Sequence, residues 1–152
     1  MANQVLSKTK YLVGLQCFKL LWYQFHRKNL IPKFNPLTLA VMEEGKRVGA
    51  IAQQLFPGGI KIDWDFNPQR LAEKSTALLA KRVPLFEAGF LYENLYALAD
   101  ILVPVEDDAW DLIEVKSSTE VKREHLVDVA FQKYVYEKAG LKINKCFVRH
   151  IN

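Results

Sequence analysis

The chain has 152 residues, of which half are apolar and a quarter are charged, and it carries a net charge of +4. This length fits one domain with a single sizeable core, and the balanced composition excludes a largely disordered protein. No apolar run approaches the roughly 20 residues of a membrane helix, and two cysteines without a secretory N-terminus favour a reducing, cytoplasmic location.

Two helices are predicted in the first third of the chain. Apolar residues recur at helical spacing after Ser7, which is a good N-cap, so the first helix is predicted to run to about Phe25. A loop with two prolines follows, after which Thr38 is predicted to cap the second helix. The segment 57–59, Pro-Gly-Gly, is predicted to end it.

The rest of the chain alternates between strand-like and helical patterns. The sequence predicts a strand at 59–63 and then a helix that starts after Asn67-Pro68 and ends near Lys81. Three strands are predicted next, at 84–91, 95–105 and 109–116. A helix at 122–138, which ends before Gly140, and a strand at 143–151 complete the chain. The three central strands are separated by short polar breaks and predict an antiparallel meander. We therefore predict an α/β or α+β domain with a mixed sheet. The apolar side of the helix at 122–138 is predicted to contain Leu126, Val129, Ala130, Tyr134 and Val135.

Two charged residues interrupt the apolar run of the third meander strand. Side chains alternate along a strand, so Glu114 and Lys116 share one face. The segment 106–108 is a natural hairpin loop, and it would place Asp100 directly opposite Glu114. Facing carboxylates repel each other unless something positive lies between them, and a divalent cation would serve.

Other polar groups can reach this site. Lys116 lies two residues beyond Glu114, where it could orient a metal-bound water near a scissile phosphate. On the following helix Gln132 and Tyr136 are one turn apart and share a face, so they could reach the same site or a phosphate. The alternative is a purely structural Glu–Lys ion pair with Asp100 at a turn.

These residues resemble a known series. Asp100, Glu114-Val115-Lys116 and the Gln132…Tyr136 pair look like the Asp…Glu-x-Lys…Gln-x-x-x-Tyr series of RecB-type nucleases in the PD-(D/E)XK superfamily. The segments 6–22 and 55–59 resemble the start of an uncharacterised bacterial family of RecB-like nucleases, related to the CRISPR-associated ones. The resemblance covers nearly the whole chain.

The resemblance implies a fold, an activity and a set of ligands. The fold would be a restriction-endonuclease-like core, with 1–152 forming a single RecB-like nuclease domain. The activity would be metal-dependent hydrolysis of phosphodiester bonds in DNA. Asp100 and Glu114 would bind Mg²⁺ or Mn²⁺, the Val115 carbonyl would be a third ligand, and Lys116 would lie beside the attacking water.

Two positions depart from the family pattern. RecB-like enzymes often have a histidine near the metal in an earlier helix, whereas this chain has Gln53 there. Gln53 is either a weak metal ligand or a surface residue, and the second interpretation is favoured. Cys17 resembles the first cysteine of an iron–sulfur cluster, but Cys146 is the only other cysteine. No complete cluster can therefore form within this chain, and a buried apolar thiol is the favoured role for Cys17.

Several alternatives stay open. The chain could be an inactive nuclease-fold domain for nucleic-acid binding or assembly, or a structural domain whose charges are ion pairs. The pI near 9.0 is compatible with DNA as partner but is weak support. The three histidines lack metal-ligand spacing, and two of the three tryptophans are expected in the core. The apolar end of the sequence favours a portion of a longer protein over a natural end at Asn152.

Overall fold

The computed structural model describes residues 4–152, which form an α+β domain with a mixed, six-stranded sheet and five α-helices. The helices are α1 (Lys8–Gln16), α2 (Phe18–His26), α3 (Pro36–Gln53), α4 (Pro68–Leu78) and α5 (Arg123–Lys138). The strands are β1 (Leu6–Ser7), β2 (Ile60–Lys61), β3 (Leu85–Tyr92), β4 (Leu95–Pro104), β5 (Ala109–Val115) and β6 (Lys142–Arg149). The predicted class and the predicted order of the main elements are confirmed.

The sheet is built around the predicted antiparallel meander. Its strand order is β2-β3-β4-β5-β6, with the outer strands β2 and β6 parallel to their neighbours. The short strand β1 pairs in parallel with the start of β4, where β5 does not reach. Because β5 runs antiparallel to β4, the ends of β1 and β5 approach each other along this edge of β4. The start of α1 therefore lies next to the end of β5.

Side-chain caps explain where α1, α3 and α4 begin. Ser7 accepts a hydrogen bond from the Lys10 N–H at 3.3 Å, as predicted. The predicted Thr38 cap is wrong, because Asn35 caps α3 by accepting from the Thr38 N–H at 2.8 Å. Pro36 then occupies the first turn, where its missing N–H costs nothing. The same cap-then-proline form at Asn67 begins α4, as predicted.

The predicted first helix is in fact two helices with a break at Cys17. This residue is extended, with φ −157° and ψ 104°, and its thiol accepts a hydrogen bond from the Leu20 N–H at 3.4 Å. A Cβ at Gly14 would lie 2.8 Å from the Leu21 side chain, so the two helices pack closely there. Apolar residues recur at helical spacing on both sides of Cys17, which is why the sequence predicts one helix.

Apolar residues cover both faces of the sheet. On one face α4 and α5 pack over Leu102, Leu112 and Trp110, and on the other Ala52 at the end of α3 packs against Ile101 and Ile113. Of the five residues predicted on the apolar side of α5, Val129 and Val135 are buried, but Leu126, Ala130 and Tyr134 are exposed. The buried side of α5 includes three polar residues, His125, Asp128 and Gln132.

Between residues 4 and 152 there is no helix that combines the length and the apolar character needed to cross a bilayer.

Candidate functional site

The hairpin between β4 and β5 brings Asp100 and Glu114 together. Asp107 and Asp108 form its turn with φ of 55° and 56°, and the Ala109 N–H closes it by donating to the Glu106 carbonyl. The strands pair Ile101 with Ile113 and Leu102 with Leu112, which is the predicted register. Continued by one residue, this register places Asp100 opposite Glu114.

Glu114 is the centre of a buried polar cluster. It is 2% exposed and lies at the end of β5. Its carboxylate accepts hydrogen bonds from Lys8 at 2.9 Å to each oxygen, from Lys116 at 2.7 Å and from the Gln132 amide at 2.7 Å. The positive charge predicted between the acids is thus supplied by lysines of the chain itself.

Helix α5 completes the cluster with a second buried acid. Asp128 is 1% exposed and accepts from Lys116 at 2.7 Å and from Gln132 at 3.0 Å. Lys8 lies 3.4 Å from the same carboxylate. Asp128 and Gln132 are one helical turn apart, so both point from α5 towards Glu114. We call Lys8, Asp100, Glu114, Lys116, Asp128 and Gln132 the charged cluster.

Asp100 lies at the edge of the charged cluster without a lysine hydrogen bond among the described residues. Its carboxylate accepts from the Val115 N–H at 2.7 Å, at the point where β5 leaves β4. Burial and the nearby Glu114 charge raise the pKa of Asp100 from 3.8 to about 7. Lys8, Lys116 and the Val115 N–H oppose this rise only partly. Asp100 therefore exchanges its proton near neutral pH.

Glu114, Lys8 and Lys116 stay charged at neutral pH. Burial alone would raise the pKa of Glu114, but Lys8 and Lys116 outweigh burial and lower it to about 2. Burial alone would lower the pKa values of Lys8 and Lys116, but the neighbouring carboxylates outweigh it and raise both. Glu114 is therefore ionised and both lysines are protonated at neutral pH.

Oxygen donors suitable for a divalent cation are present in the charged cluster. Mg²⁺ prefers carboxylate and amide oxygens, which Asp100, Glu114 and Gln132 offer. The Gln132 Oε1 atom is buried and has no hydrogen-bond partner among residues 4–152. A buried acceptor of this kind is costly and suits a cation or a water molecule. The described part of the chain contains no group of three or more His, Cys, Asp or Glu side chains arranged to hold a metal.

Access to the acids leads past the two lysines. The side chains of Glu114 and Asp128 are 3% and 1% exposed, whereas those of Lys8 and Lys116 are 18% and 23% exposed. An incoming cation must therefore displace a lysine ammonium from the Glu114 carboxylate. The donor atoms are of the kind that a divalent cation prefers, while Lys8 and Lys116 already balance the charges of Glu114 and Asp128.

Tyr136 lies outside the charged cluster, although the sequence predicts it at the site. It is fully buried, and its hydroxyl donates to the Ala88 carbonyl and accepts from the Ala99 N–H at 2.8 Å. This hydroxyl joins the backbones of β3 and β4. Burial raises the pKa of Tyr136 well above its ordinary value, so the phenol stays protonated.

Gln53, Cys17 and Val115 were also singled out in the sequence, and only Val115 contacts the charged cluster. Gln53 ends α3 next to Ala52, which packs on the face of the sheet opposite Glu114, and no hydrogen bond of the Gln53 side chain occurs within 4–152. Cys17 is exposed rather than buried, which corrects the predicted apolar role. Val115 takes part through its N–H, while its side chain packs with Ile113 on the opposite face.

Aromatic and histidine residues also differ from expectation in part. Only Trp110 is in the core, because Trp22 and Trp64 are 51% and 57% exposed. His125 is structural, as predicted, since its Nδ1 accepts from the Lys122 N–H at 3.2 Å at the start of α5.

Sequence reasoning missed two members of the charged cluster. Asp128 precedes Gln132 by one helical turn, so the pairing of polar residues on the inner side of α5 was a readable signal. Lys8 directly follows the Ser7 cap, and only the pairing of β1 with β4 brings it to Glu114. No local sequence pattern predicts this contact between Lys8 and Glu114, because the two residues are 106 positions apart.

Comparison with known proteins leaves the family open. A scan against protein-family models found no match, and a search of curated proteins found no significant match.

Proposed function

We propose that this chain is a metal-dependent nuclease domain with a restriction-endonuclease-like core, which hydrolyses phosphodiester bonds in DNA. The observation that carries the proposal is the β4–β5 register, which brings Asp100 opposite Glu114 and leaves Lys116 at the same site. The resemblance to RecB-type nucleases requires this arrangement. The strand–strand–helix order that leads to Gln132 agrees with it.

In this proposal the carboxylates of Asp100 and Glu114 hold Mg²⁺ or Mn²⁺, together with the Val115 carbonyl and the free oxygen of Gln132. When bound, the cation supplies Lewis-acid polarisation of the phosphodiester. The Gln132 amide nitrogen donates to both Glu114 and Asp128, which fixes the orientation of the amide group. Asp100 must lose its proton to act as a ligand, and its raised pKa makes binding depend on pH near neutrality.

Lys116 contributes positive charge in this proposal. Its raised pKa keeps it protonated at neutral pH, so it cannot serve as a general base. Glu114 and Asp128 each hold its ammonium group at 2.7 Å, which fixes the position of the charge. A fixed cation beside the acids stabilises negative charge that develops on a phosphate.

A second candidate is a nuclease-fold domain that binds nucleic acid without cutting it. Both oxygens of Glu114 are already bonded to lysines, and Glu114 and Asp128 balance Lys8 and Lys116 without any metal. Buried ion pairs of this kind also occur as purely structural features. Metal binding separates the two candidates, since only an enzyme needs the cation.

The test combines cleavage with metal binding. We expect Mn²⁺-dependent cleavage of single- or double-stranded DNA that is lost in Asp100→Ala, Glu114→Ala and Lys116→Ala. Asp111→Ala is the matched control, because Asp111 lies on the opposite face of β5 and bonds Asn144 and Lys145. Calorimetry should show Mn²⁺ binding that Glu114→Ala removes. Folded variants that cut as well as the parent would contradict the nuclease proposal, and DNA binding without Mn²⁺ binding would favour the second candidate.

A further inference from the structure

The charges of the chain are distributed unevenly. Six lysines or arginines and no acidic residue occur before Glu43. Two of these lysines have partners inside the domain, since Lys8 bonds Glu114 and Lys10 donates to the Val5 carbonyl at 3.0 Å. The other four, Lys19, Arg27, Lys28 and Lys33, are exposed on α2 or in the segment that follows it. The positive charge is thus concentrated around α2.

Helix α2 also presents an exposed aromatic row. Phe18, Trp22 and His26 follow each other at four-residue spacing, so they lie along one face of the helix. Phe18 is 81% exposed and Trp22 is 51% exposed. The Trp22 ring lies 5.0 Å from the His26 ring and 5.4 Å from the Tyr23 ring. None of the nine residues of α2 is buried, so the domain's core does not account for these side chains.

The combination of aromatic and basic groups indicates what covers this face. Protein interfaces concentrate aromatic residues but are depleted of lysine at their centre. Single-stranded nucleic acid needs both, because bases stack on aromatic rings while lysine and arginine neutralise phosphates. A duplex keeps its bases stacked inside and offers no free base face to Phe18 or Trp22. The observed surface therefore suits a single strand.

We propose that the α2 surface, formed by Phe18, Lys19, Trp22, His26, Arg27 and Lys28, binds single-stranded DNA by base stacking and phosphate contacts. The inference rests on the proposed nuclease function in one respect, namely that it assigns the single strand as the substrate. Binding itself needs neither metal nor cleavage. The two ideas can therefore fail separately.

The chain contains a matched control for Trp22. Trp64 is 57% exposed and has its own aromatic neighbour, Phe66, at 6.3 Å. It lies between Asp63 and Asp65, whose carboxylates repel phosphates. Trp64→Ala thus removes a tryptophan of similar exposure that lies beside acidic residues, one of which, Asp65, pairs with Lys74 at 3.2 Å. Arg70→Ala on α4 is the corresponding control for Arg27→Ala, since both arginines are exposed.

The experiment measures fluorescence anisotropy of a labelled oligothymidine in EDTA and low salt, with a duplex of equal length beside it. We expect the single strand to bind more tightly than the duplex. Trp22→Ala should weaken single-strand binding by about 5-fold or more, as expected for one lost stacking contact. Trp22→Phe should retain most of the affinity, and Trp64→Ala should not change it. Arg27→Ala should weaken binding and reduce its salt dependence, unlike Arg70→Ala.

Other outcomes overturn the proposal. Equal binding of single strand and duplex, unchanged by Trp22→Ala, would leave only a nonspecific charge effect. Absence of DNA binding, with self-association of the protein that Trp22→Ala abolishes, would make the surface a protein interface. Because Trp22 is exposed, these variants should keep the parent's melting temperature, which verifies folding. Stacking in EDTA without cleavage under any condition would retain this inference and reject the nuclease proposal.

Discussion

At Glu114, attraction and repulsion compete within a few ångströms. From the sequence alone, two facing carboxylates predict that Glu114→Gln relieves repulsion and raises metal-free stability. The structure reverses this expectation, because Lys8, Lys116 and Gln132 all donate to Glu114, and the two lysines outweigh burial and lower its pKa to about 2. A neutral amide loses the attraction of both lysines.

We therefore expect Glu114→Gln to lower the free energy of unfolding by about 1.5–3 kcal/mol, the range for losing a hydrogen bond to a charged group. Urea denaturation at pH 7 in EDTA measures the change. Asp111→Asn, on the same strand but the opposite face, serves as the comparison. A clear increase in stability would show that repulsion between Asp100 and Glu114 dominates after all.

The raised pKa of Asp100 predicts an unusual pH dependence of the free energy of unfolding. Its pKa rises from 3.8 to about 7 on folding, so the folded state binds the proton more tightly. The resulting stabilisation is full below about pH 4 and is lost as the pH rises through about 7, with a slope of up to about 1.4 kcal/mol per pH unit. Asp100→Asn should remove this slope.

The measurement is the free energy of unfolding from pH 5 to pH 8 in EDTA, for parent and Asp100→Asn. Burial lowers the pKa of His125, which gives the opposite slope near the same pH, so only the difference between the two proteins isolates Asp100. A constant difference across this range would mean that Asp100 stays ionised in the folded protein.

Lys8 occupies the position at Glu114 that a cation needs. Its ammonium group lies 2.9 Å from both carboxylate oxygens. Lys8→Met removes this competing charge and keeps much of the side-chain volume. On the proposed metal site, we expect about a tenfold gain in Mn²⁺ affinity by calorimetry, equivalent to about 1.4 kcal/mol.

Lys10→Met is the matched control for Lys8, because Lys10 lies on the same helix but bonds the Val5 carbonyl. It should leave Mn²⁺ affinity unchanged. A loss of affinity in Lys8→Met would instead show that Lys8 positions the ligands, and the competition described here would not exist.

At the scale of elements, Tyr136 shows how α5 holds the sheet. Its hydroxyl joins the Ala88 carbonyl of β3 to the Ala99 N–H of β4, next to Asp100. Tyr136→Phe leaves both backbone groups buried without this partner. We expect a loss of about 1–3 kcal/mol in the free energy of unfolding.

Measuring Mn²⁺ affinity distinguishes a structural role of Tyr136 from a role in the metal site. Because the hydroxyl does not touch the charged cluster, Mn²⁺ binding by Tyr136→Phe should match the parent under conditions where both are folded. Unchanged stability together with impaired Mn²⁺ binding would place Tyr136 at the site and contradict the structural interpretation.

The meander was predictable because its signals are local. Alternating apolar residues, the acidic turn at 106–108 and the polar breaks determine strand bounds and register without reference to the rest of the chain. Helix α5 was less predictable, since Asp128 and Gln132 lie on its buried side and leave Leu126 exposed. A helix that buries polar groups departs from apolar periodicity at those positions, so its pattern predicts its buried side poorly.

At the scale of the whole molecule, packing is concentrated in the sheet and two of its helices. Helix α5 has seven buried residues among 16, whereas α3 has one, Ala52, among 18. Leu37, Leu39 and Ile51 of α3 are more than half exposed. An isolated helix of this length is marginally stable in water, so α3 depends on few tertiary contacts.

This uneven packing predicts which part of the domain opens first. Opening free energies in one protein range from near zero to the full free energy of unfolding, and poorly packed elements lie at the low end. We expect backbone amides of α3 to exchange with solvent at a free energy well below that of β4 amides. Native-state hydrogen exchange with mass spectrometry measures both in the unmodified chain.

Helix α5 is the internal reference for this measurement, because it has similar length and the same type of hydrogen bonds but a buried side. Its amides should follow those of β4, since Val135 and Tyr136 are fully buried against the sheet. Fast exchange in both helices would mean that helices in general open easily here. Equal, strong protection of α3 and β4 would show that the exposed apolar residues of α3 are covered in solution, and the uneven stability inferred from the fold would be wrong.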